Sequence, residues 1–464
     1  MRIAFLTRTA QFANHYKDII LDDLAETGNV AQFVSFSPTL NQRYSRISGA
    51  ERNHQFESPK QALAVLISSS AEQRINLRSF HPHRPQGNEF VYGLQNADVA
   101  FQELSRLAAS GLHVIANETI DVKDGGVSGV SQCNVLEFAP GGTPRVVEAP
   151  GITRLARSLG IGLLSKIYGF VLELPDDPNL RVEFSIHPMR RGFRHSHTVL
   201  WELERVENVT LDATPMWPNT FSQFIGDKTF GLLLADCLGW KVPYTTVISR
   251  VLPPFSFGQG TGSDVQWMRT SPRTPEPGYF PTYRGWRDPF RMIMEGGHEE
   301  RLAAVLVQSE VPAIYSGALI TGADGSPIIE GVDGFGDRFM LGEAGPAPLP
   351  VDVTQLLNGL HKAAQAKLGS IRLEWVFDGK AIWIVQLQQE AALSNGHVIV
   401  TGDSFDEVAF DPQQGLDELR RLVEHIQHSG CGIRVLGNIG MTSHMADVLR
   451  RSRIPSRIVY RAAN

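Results

Sequence analysis

Apolar and polar positions change period several times along the chain, and the changes mark out its elements. Near the start, the apolar run Arg2-Ile-Ala-Phe-Leu6 reads as a strand, a helical stretch follows from about His15 to Thr27, and Ala31-Gln-Phe-Val-Ser-Phe36 reads as a second strand. That is the β-α-β rhythm of an α/β layer. Residues 37–60 are polar, hold Pro38, Asn41, Arg43 and Arg46, and read as a loop. Asp98–Ser110 has the spacing of an amphipathic helix and Leu112–Ala116 that of a strand. Farther on, Val182–Ile186 alternates and Thr198–Leu203 answers it, a hairpin pattern whose turn carries Arg190, Arg191 and Arg194. Such a turn is either a solvated tip or a contact for phosphate or an acidic partner. Residues 353–368 read as a helix, then Ile371–Phe377 and Ala381–Leu387 as strands joined at Asp378-Gly379. The tail gives helix (416–428), strand (433–436), helix (from about 443) and strand (456–460).

Length adds a domain expectation. The chain has 464 residues, enough for about three domains of roughly 150 residues. The chain divides as 1–150, an α/β domain of unassigned role; 151–395, a middle module; and 396–464, a short C-terminal domain. The stretch 252–290 is rich in Pro, Gly and Ser and reads as functional loops more than as a linker.

Charge and cysteine usage exclude some classes. The formal charge of −6 argues against a broad nucleic-acid surface, which needs clustered cations to replace phosphate counterions. Cys133, Cys237 and Cys431 are far apart with no CxxC pair, so a reducing, cytoplasmic compartment is expected. The N-terminal run lacks a cleavage-site pattern, and no window reaches the roughly 20 apolar residues of a membrane span.

Four segments carry candidate chemistry. In Gly226-Asp-Lys228, a lysine beside a helix start can join the helix dipole and its free N–H groups in neutralising phosphate. In Trp267-Met-Arg269-Thr-Ser271, the planar fork of the arginine can hold two phosphate oxygens. From Ser316-Gly317 to Thr321, and from Gly334 to Pro346, closely spaced glycines let backbone approach a ligand. In Leu373-Glu374-Trp375, alternation puts Glu374 opposite Trp375, and Gln386 can face the same side from the next strand, a carboxylate and an amide oxygen suited to Mg²⁺. Taken singly, each has an ordinary structural reading: a surface lysine near a cap, an arginine paired with an interior carboxylate, β-turns, a glutamate on a half-exposed strand. Asp121–Gly129 is in the same position, as a phosphate-binding loop or a turn pair.

The order of these segments resembles the ATP-binding domain of the phosphoenolpyruvate synthase, pyruvate phosphate dikinase and rifampicin phosphotransferase group. Gly226-Asp-Lys228 through Pro243 is similar to that family's G-G-K-G-x-N-L-G…G-x-x-V-P, and Met268-Arg269-Thr270-Ser271 to its V-R-S-S-A. Ser316-Gly317 to Thr321, then Gly334-Phe-Gly336-Asp337 to Pro346, resemble S-G-V-x-x-T…G-L-G-E-x-V-V-x-G-x-x-x-P. Leu373-Glu374-Trp375 through Gln386-Leu-Gln388 resembles I-E-W-A…L-Y-I-L-Q-A-R-P. The likeness covers roughly residues 225–390 and implies an α/β, ATP-grasp-type module that uses ATP and Mg²⁺. It implies that Lys228 and Arg269 hold phosphates and that Glu374 and Gln386 hold metal, with Asp337 and Gln388 completing the ATP site. Two positions depart from the family: Gln388 replaces its final arginine, and Arg372 stands where the dikinase has an acid.

The tail, Gly437 through Thr442-Ser443-His444 to Pro455, resembles the phosphohistidine motif of the same group. The likeness implies His444 as a catalytic phosphoryl carrier; the plain alternative is Thr442 or Ser443 as an N-cap with His444 in the first turn. The family's phosphoenolpyruvate-binding barrel does not follow, so its complete reaction is not expected here. The resulting expectation is an ATP- and Mg-dependent phosphotransferase with a small-molecule or protein acceptor, away from nucleic acid and membrane. The alternatives are an ATP-grasp ligase or small-molecule kinase without a histidine relay, and a non-catalytic nucleotide-binding regulator.

Overall fold

The computed structural model describes residues 16–82, 87–121, 123–141, 151–274, 279–280, 282–295, 300–392, 397–404 and 406–459. The strand expected at Arg2–Leu6 and Val122 of the Asp121 segment lie outside the described residues. The chain forms two compact units, residues 1–152 with 170–212 and residues 153–169 with 213–464.

The first unit is built on an antiparallel sheet of order β2-β1-β5-β3-β4. Its strands are β1 (Phe33–Phe36), β2 (Gln42–Arg46), β3 (Ile75–Phe80), β4 (Gly87–Leu94) and β5 (His113–Glu118). Helices Pro59–Ser69 and Ala97–Ala109 bury Leu63, Leu66, Leu104 and Leu107 against Val34, Leu77 and Val114 of that sheet. Strand β2 falls in the stretch expected to be a loop. Its polarity misled because its charges are paired: Arg46 is 3% exposed, donates to Asp22 Oδ1 at 2.8 Å and also meets Glu26. A buried arginine stays cheap only when it is neutralised this way.

Strands β6 (Val127–Gln132) and β7 (Val135–Pro140) continue this unit, whereas β8 (Thr153–Ala156) belongs to the second. The expected hairpin forms as β9 (Leu180–Arg191) and β10 (Ser196–Arg205), with Thr198 opposite Ile186 and β6 alongside β9. Two of its turn arginines serve the fold. Arg194 donates to the carbonyl oxygens of Ala25 and Glu26 at 2.8 and 2.7 Å, and Arg191 lies 3.2 Å from Glu72. On the inner face of β9, Ser185 Oγ is 2.8 Å from His187 Nε2, and His187 Nδ1 is 2.9 Å from Asp124 Oδ2.

The second unit holds three sheets. The first, of order β12-β11-β15-β13-β14, comprises β11 (Thr245–Ser249), β12 (Phe255–Phe257), β13 (Gln266–Pro272), β14 (Thr282–Arg284) and β15 (Leu302–Ser309). The second, of order β17-β16-β18-β19, comprises β16 (Tyr315–Thr321), β17 (Pro327–Asp333), β18 (Ile371–Phe377) and β19 (Ile382–Gln389). Both sheets are antiparallel. Asp378 closes the β18–β19 turn: its Oδ1 accepts from the Lys380 and Ala381 amides, and its Oδ2 from Trp383 Nε1, each at 2.8 Å. That is the chemistry that makes Asp-Gly a turn former. Helix Val351–Leu368 buries Val353, Leu357, Ala364 and Leu368. The third sheet, β20-β23-β22-β21, contains β20 (Val398–Val400), β21 (Glu407–Phe410), β22 (Gly432–Leu436) and β23 (Ser456–Val459). The last three of these run parallel, and helices Leu416–Ile426 and His444–Ser452 share a core with them.

Helix Asp227–Cys237 ties the first two sheets together. It lies so close to β19 that a Cβ on Gly231 would come 1.9 Å from the Leu387 carbonyl oxygen. It starts at Gly226, φ +92°, where a Cβ would strike Ser271 Oγ of β13 at 2.2 Å. Glycine is required at both points for contact, and at Gly226 for its backbone angle as well. Among the described residues, no helix is long and apolar enough to cross a membrane.

Candidate functional site

Strands β13, β18 and β19 and the first turns of helices Asp227–Cys237 and His444–Ser452 enclose a cavity of about 470 Å³. Lys228, Arg269, Asp337, Glu374, Gln386, Gln388 and His444 all line it. These residues are scattered over the second half of the sequence, and the fold brings them together. The strand register explains how: Glu374 pairs with Gln386 and Arg372 with Gln388 across β18–β19, so all four are on one face. Trp375 is fully buried beyond a bulge. Asp337 opens the short helix Asp337–Met340 at the exposed rim.

A second cavity of about 70 Å³ shares Trp267, Arg269, Asp337, Met340 and Glu374 with the first. Its remaining walls include Val311, Phe335, Trp375, Val376 and Val385. Gln308, Ser309 and Ser316 also line it, so the combined site has a slot of mixed character at one side and a charged chamber at the other.

The charged chamber is under-satisfied. Glu374 is 9% exposed. Its Oε2 lies 3.6 Å from Arg269 Nη1, and its Oε1 has no hydrogen-bond partner among the described residues. Arg269 donates from Nη1 to the Val385 carbonyl at 3.2 Å, leaving Nε without a partner among those residues. Burial alone would raise Glu374, but Arg269, His444, Arg372 and Lys228 together hold its carboxyl below the ordinary glutamate range. Burial acts on Lys228 in the other direction, pushing its ammonium down to about 8 despite Glu374 and Asp227 nearby. Asp227, which sequence reasoning did not single out, is 1% exposed and is pushed up by burial to about 6. Its only sequence signal was its place before the lysine.

The donor set fits Mg²⁺ bound together with phosphate. Glu374 offers a free oxygen, and Gln386 stands beside it in register. No group of three or more His, Cys, Asp or Glu side chains forms a cage among the described residues. A magnesium ion here would take most of its shell from phosphate and water, as it commonly does with nucleotides.

The C-terminal segment forms one wall of the chamber and is bolted there. Arg372 reaches Asp447 at 2.7 Å and donates to the Thr442 carbonyl at 2.8 Å. Arg450 pairs with Asp447 and donates to the Met441 carbonyl at 2.7 Å. Glu330 of β17 accepts from the amides of Met441 and Thr442 at 3.0 and 2.8 Å and from Thr442 Oγ1 at 2.8 Å. Burial would raise Asp447, but the two arginines hold it far below the usual aspartate range. Ser443 is the helix N-cap, accepting from the Ala446 amide at 3.4 Å. His444 follows it, half-buried, with Nδ1 3.7 Å from Asp447 Oδ2.

No family model matches the chain, and no curated protein matches it. Solved structures do. One is the RimK domain ATP-grasp protein from Sphaerobacter thermophilus, with 19% identity, TM-score 0.22, and 36% of this chain against 58% of that one. Another is the macrocyclase MdnB from Microcystis aeruginosa, with 16% identity, TM-score 0.22, and 37% against 55%. A third is the D-cycloserine synthetase DcsG, with 19% identity, TM-score 0.22, and 48% against 68%. The matches to the first two span less than two thirds of those chains' length. The chain itself is mixed α/β, with several antiparallel sheets.

The resemblance to phosphoenolpyruvate synthase and pyruvate phosphate dikinase is overturned by these findings, because the matched structures are ATP-grasp proteins of other kinds. The reason is visible in the site. Short motifs of glycine, lysine, arginine and strand glutamate describe a cleft lined by charge, not one family. The two departures from that family's pattern are integral to this chain: Arg372 is bonded to the C-terminal wall and Gln388 to Asp227.

Proposed function

We propose that the cavity binds Mg·ATP and transfers its terminal phosphoryl group directly to a small acceptor, as an ATP-grasp ligase or a small-molecule kinase, without a histidine relay. The observation that carries this reading is the pairing of a slot walled partly by apolar side chains with a charged chamber in which Arg269 Nε and Glu374 Oε1 have no hydrogen-bond partner among the described residues. The apolar walls of the slot suit one face of a flat ring, and a polyphosphate has the charge for the chamber.

Lys228 and Arg269 supply the positive charge that neutralises the phosphates, from rigid positions at a helix start and mid-strand. Positioning and charge stabilisation of this kind account for most phosphoryl-transfer catalysis. Glu374 and Gln386 would hold magnesium, which when bound neutralises phosphate charge and aligns the leaving group. Trp267 and Phe335, with ring centroids 6.2 Å apart, and Val311 and Val385 screen the slot from water. His444 contributes to the chamber wall and to the field on Glu374.

The test is incubation of the full chain with Mg·ATP and chromatography of the nucleotide products. ADP supports direct transfer, and hydroxylamine trapping of an acyl phosphate separates a ligase from a kinase. AMP as the sole product overturns the proposal. Binding without turnover favours a nucleotide-sensing regulator, and failure of Mg·ATP to bind removes every nucleotide reading.

A further inference from the structure

Asp227 is not explained by the nucleotide reading alone. It is the first residue of its helix, 1% exposed, and lines the main cavity. Its Oδ2 accepts from Gln388 Nε2 at 3.3 Å. Its Oδ1, inaccessible to bulk solvent, has no hydrogen-bond partner among the described residues. The helix cap does not use it, since Gly226 is the N-cap and no side-chain cap bond forms. A buried carboxylate with a free oxygen costs stability unless something binds it. A second anion beside the polyphosphate site also opposes nucleotide charge, so it does not help hold ATP.

We propose that Asp227 is a catalytic base that takes the proton of a hydroxyl-bearing acceptor, so that the substrate phosphorylated in this cavity is an alcohol and not a carboxylate. This rests on the nucleotide reading of the site. In the step, the acceptor oxygen forms a bond to the terminal phosphorus while the bond from that phosphorus to its bridging oxygen breaks. The bridging electron pair leaves with ADP, and the hydroxyl proton passes to the Asp227 carboxylate. A carboxylate acceptor has no proton to give up in the attack, so a base at this point would be idle.

The surroundings suit that role. The groups facing Asp227 are Gln388 from β19, Lys228 from its own helix and Arg451 from helix His444–Ser452. Burial outweighs all three and leaves the carboxyl at about 6. Such a group is ionised at neutral pH yet basic enough to accept a proton during transfer.

The experiment uses the full chain with Mg·ATP, and water and glycerol as probe acceptors, reading ADP and glycerol phosphate between pH 5 and 8. The wild-type rate should climb tenfold per pH unit below about 6 and level off above it. D227N should lose about 100-fold or more in rate, while its Kd for a non-hydrolysable Mg·ATP analogue stays within about threefold. Q388M removes a donor that holds the carboxyl down, so the bend should move to higher pH, a shift that a purely structural role does not produce. The proposal is overturned if D227N keeps the wild-type rate, if the rate is flat between pH 5 and 7, or if the wild type binds nucleotide but forms no ADP with either probe. Failure of the wild type to bind the analogue is a different outcome: it removes the nucleotide reading itself.

Discussion

Two buried polar arrays in this molecule both hold residues of the kinds that do chemistry, and they differ in what they leave open. In the first unit, Ser185, His187 and Asp124 have the spacing of a nucleophile–base–carboxylate set. In the second, Asp227, Lys228, Arg269 and Glu374 line a cavity. The first array is closed. Ser185 is 0% exposed and accepts from Trp201 Nε1 at 2.7 Å, and Asp124 accepts the Gly126 amide at 3.0 Å. With every partner supplied and no path to the hydroxyl, those distances make a structural network that holds β9 to the neighbouring loop. The second array is open: Asp227, Arg269 and Glu374 line a space large enough for a ligand, and each keeps a buried polar atom with no hydrogen-bond partner among the described residues. Identity of residues does not mark a functional site here; unsatisfied polarity facing a void does.

The sharpest way to test this contrast is to open a closed pair. Asp447 is 1% exposed and bound to both Arg372 and Arg450. Asp447→Ala leaves the buried Arg372 guanidinium without its anion and Arg450 with Glu390 alone, and should cost about 3–5 kcal/mol of stability. Urea unfolding reads this, and a loss under about 1 kcal/mol would mean that the C-terminal wall is not held by charge. Lys228→Met should do the reverse. It removes a buried charge whose ligand is absent in the free protein, so stability should hold or rise. Affinity for an Mg·ATP analogue should fall by about 1.5–3 kcal/mol, or roughly 10- to 100-fold. A smaller effect is expected from Ser185→Ala. The Trp201 N–H and His187 Nε2 lose their partner, costing about 1–3 kcal/mol of stability, with nucleotide affinity unchanged. If Ser185→Ala instead weakens ligand binding and leaves unfolding alone, the closed array is a site after all.

The contrast also explains what the sequence could and could not say. Periodicity located the helix Val351–Leu368, the hairpin β18–β19 and the alternating tail to within a few residues, because each buries one face by a simple repeat. It missed β2, where the pairing of Arg46 with Asp22 lets a polar strand be buried. That Lys228, Arg269, Glu374 and Gln386 share one cavity was legible, because the phosphate and magnesium chemistry expected of them restricts residue type and spacing. Asp227 was not, since a carboxylate beside a lysine reads as an ordinary helix start until its burial and free oxygen are seen. The Ser185 network was equally silent: its members become a set only through the pairing of β6 with β9. The family resemblance failed for a related reason. Motif order reported the cleft, while the partners of Arg372 and Gln388, which distinguish this chain, are long-range contacts.

The gentlest test of the open array uses pH alone. Burial sets the Lys228 ammonium at about 8, below its ordinary 10.5. Because this pKa is depressed, the charged lysine destabilises the free protein, and that cost is lifted as pH rises from about 8 toward 10.5. A bound polyphosphate favours the charged form. Below about pH 8 the free protein already carries that charge, so this group adds no pH dependence to binding. Above it, each binding event must take up a proton, and affinity should fall by up to about tenfold per pH unit. Titrations of the Mg·ATP analogue at pH 7, 8 and 9 read the slope. Lys228→Arg, which does not deprotonate in this range, should flatten it. A wild-type affinity that stays level to pH 9 would mean that Lys228 does not face the phosphates, and that the open chamber draws its cationic character from Arg269 and Arg372 instead.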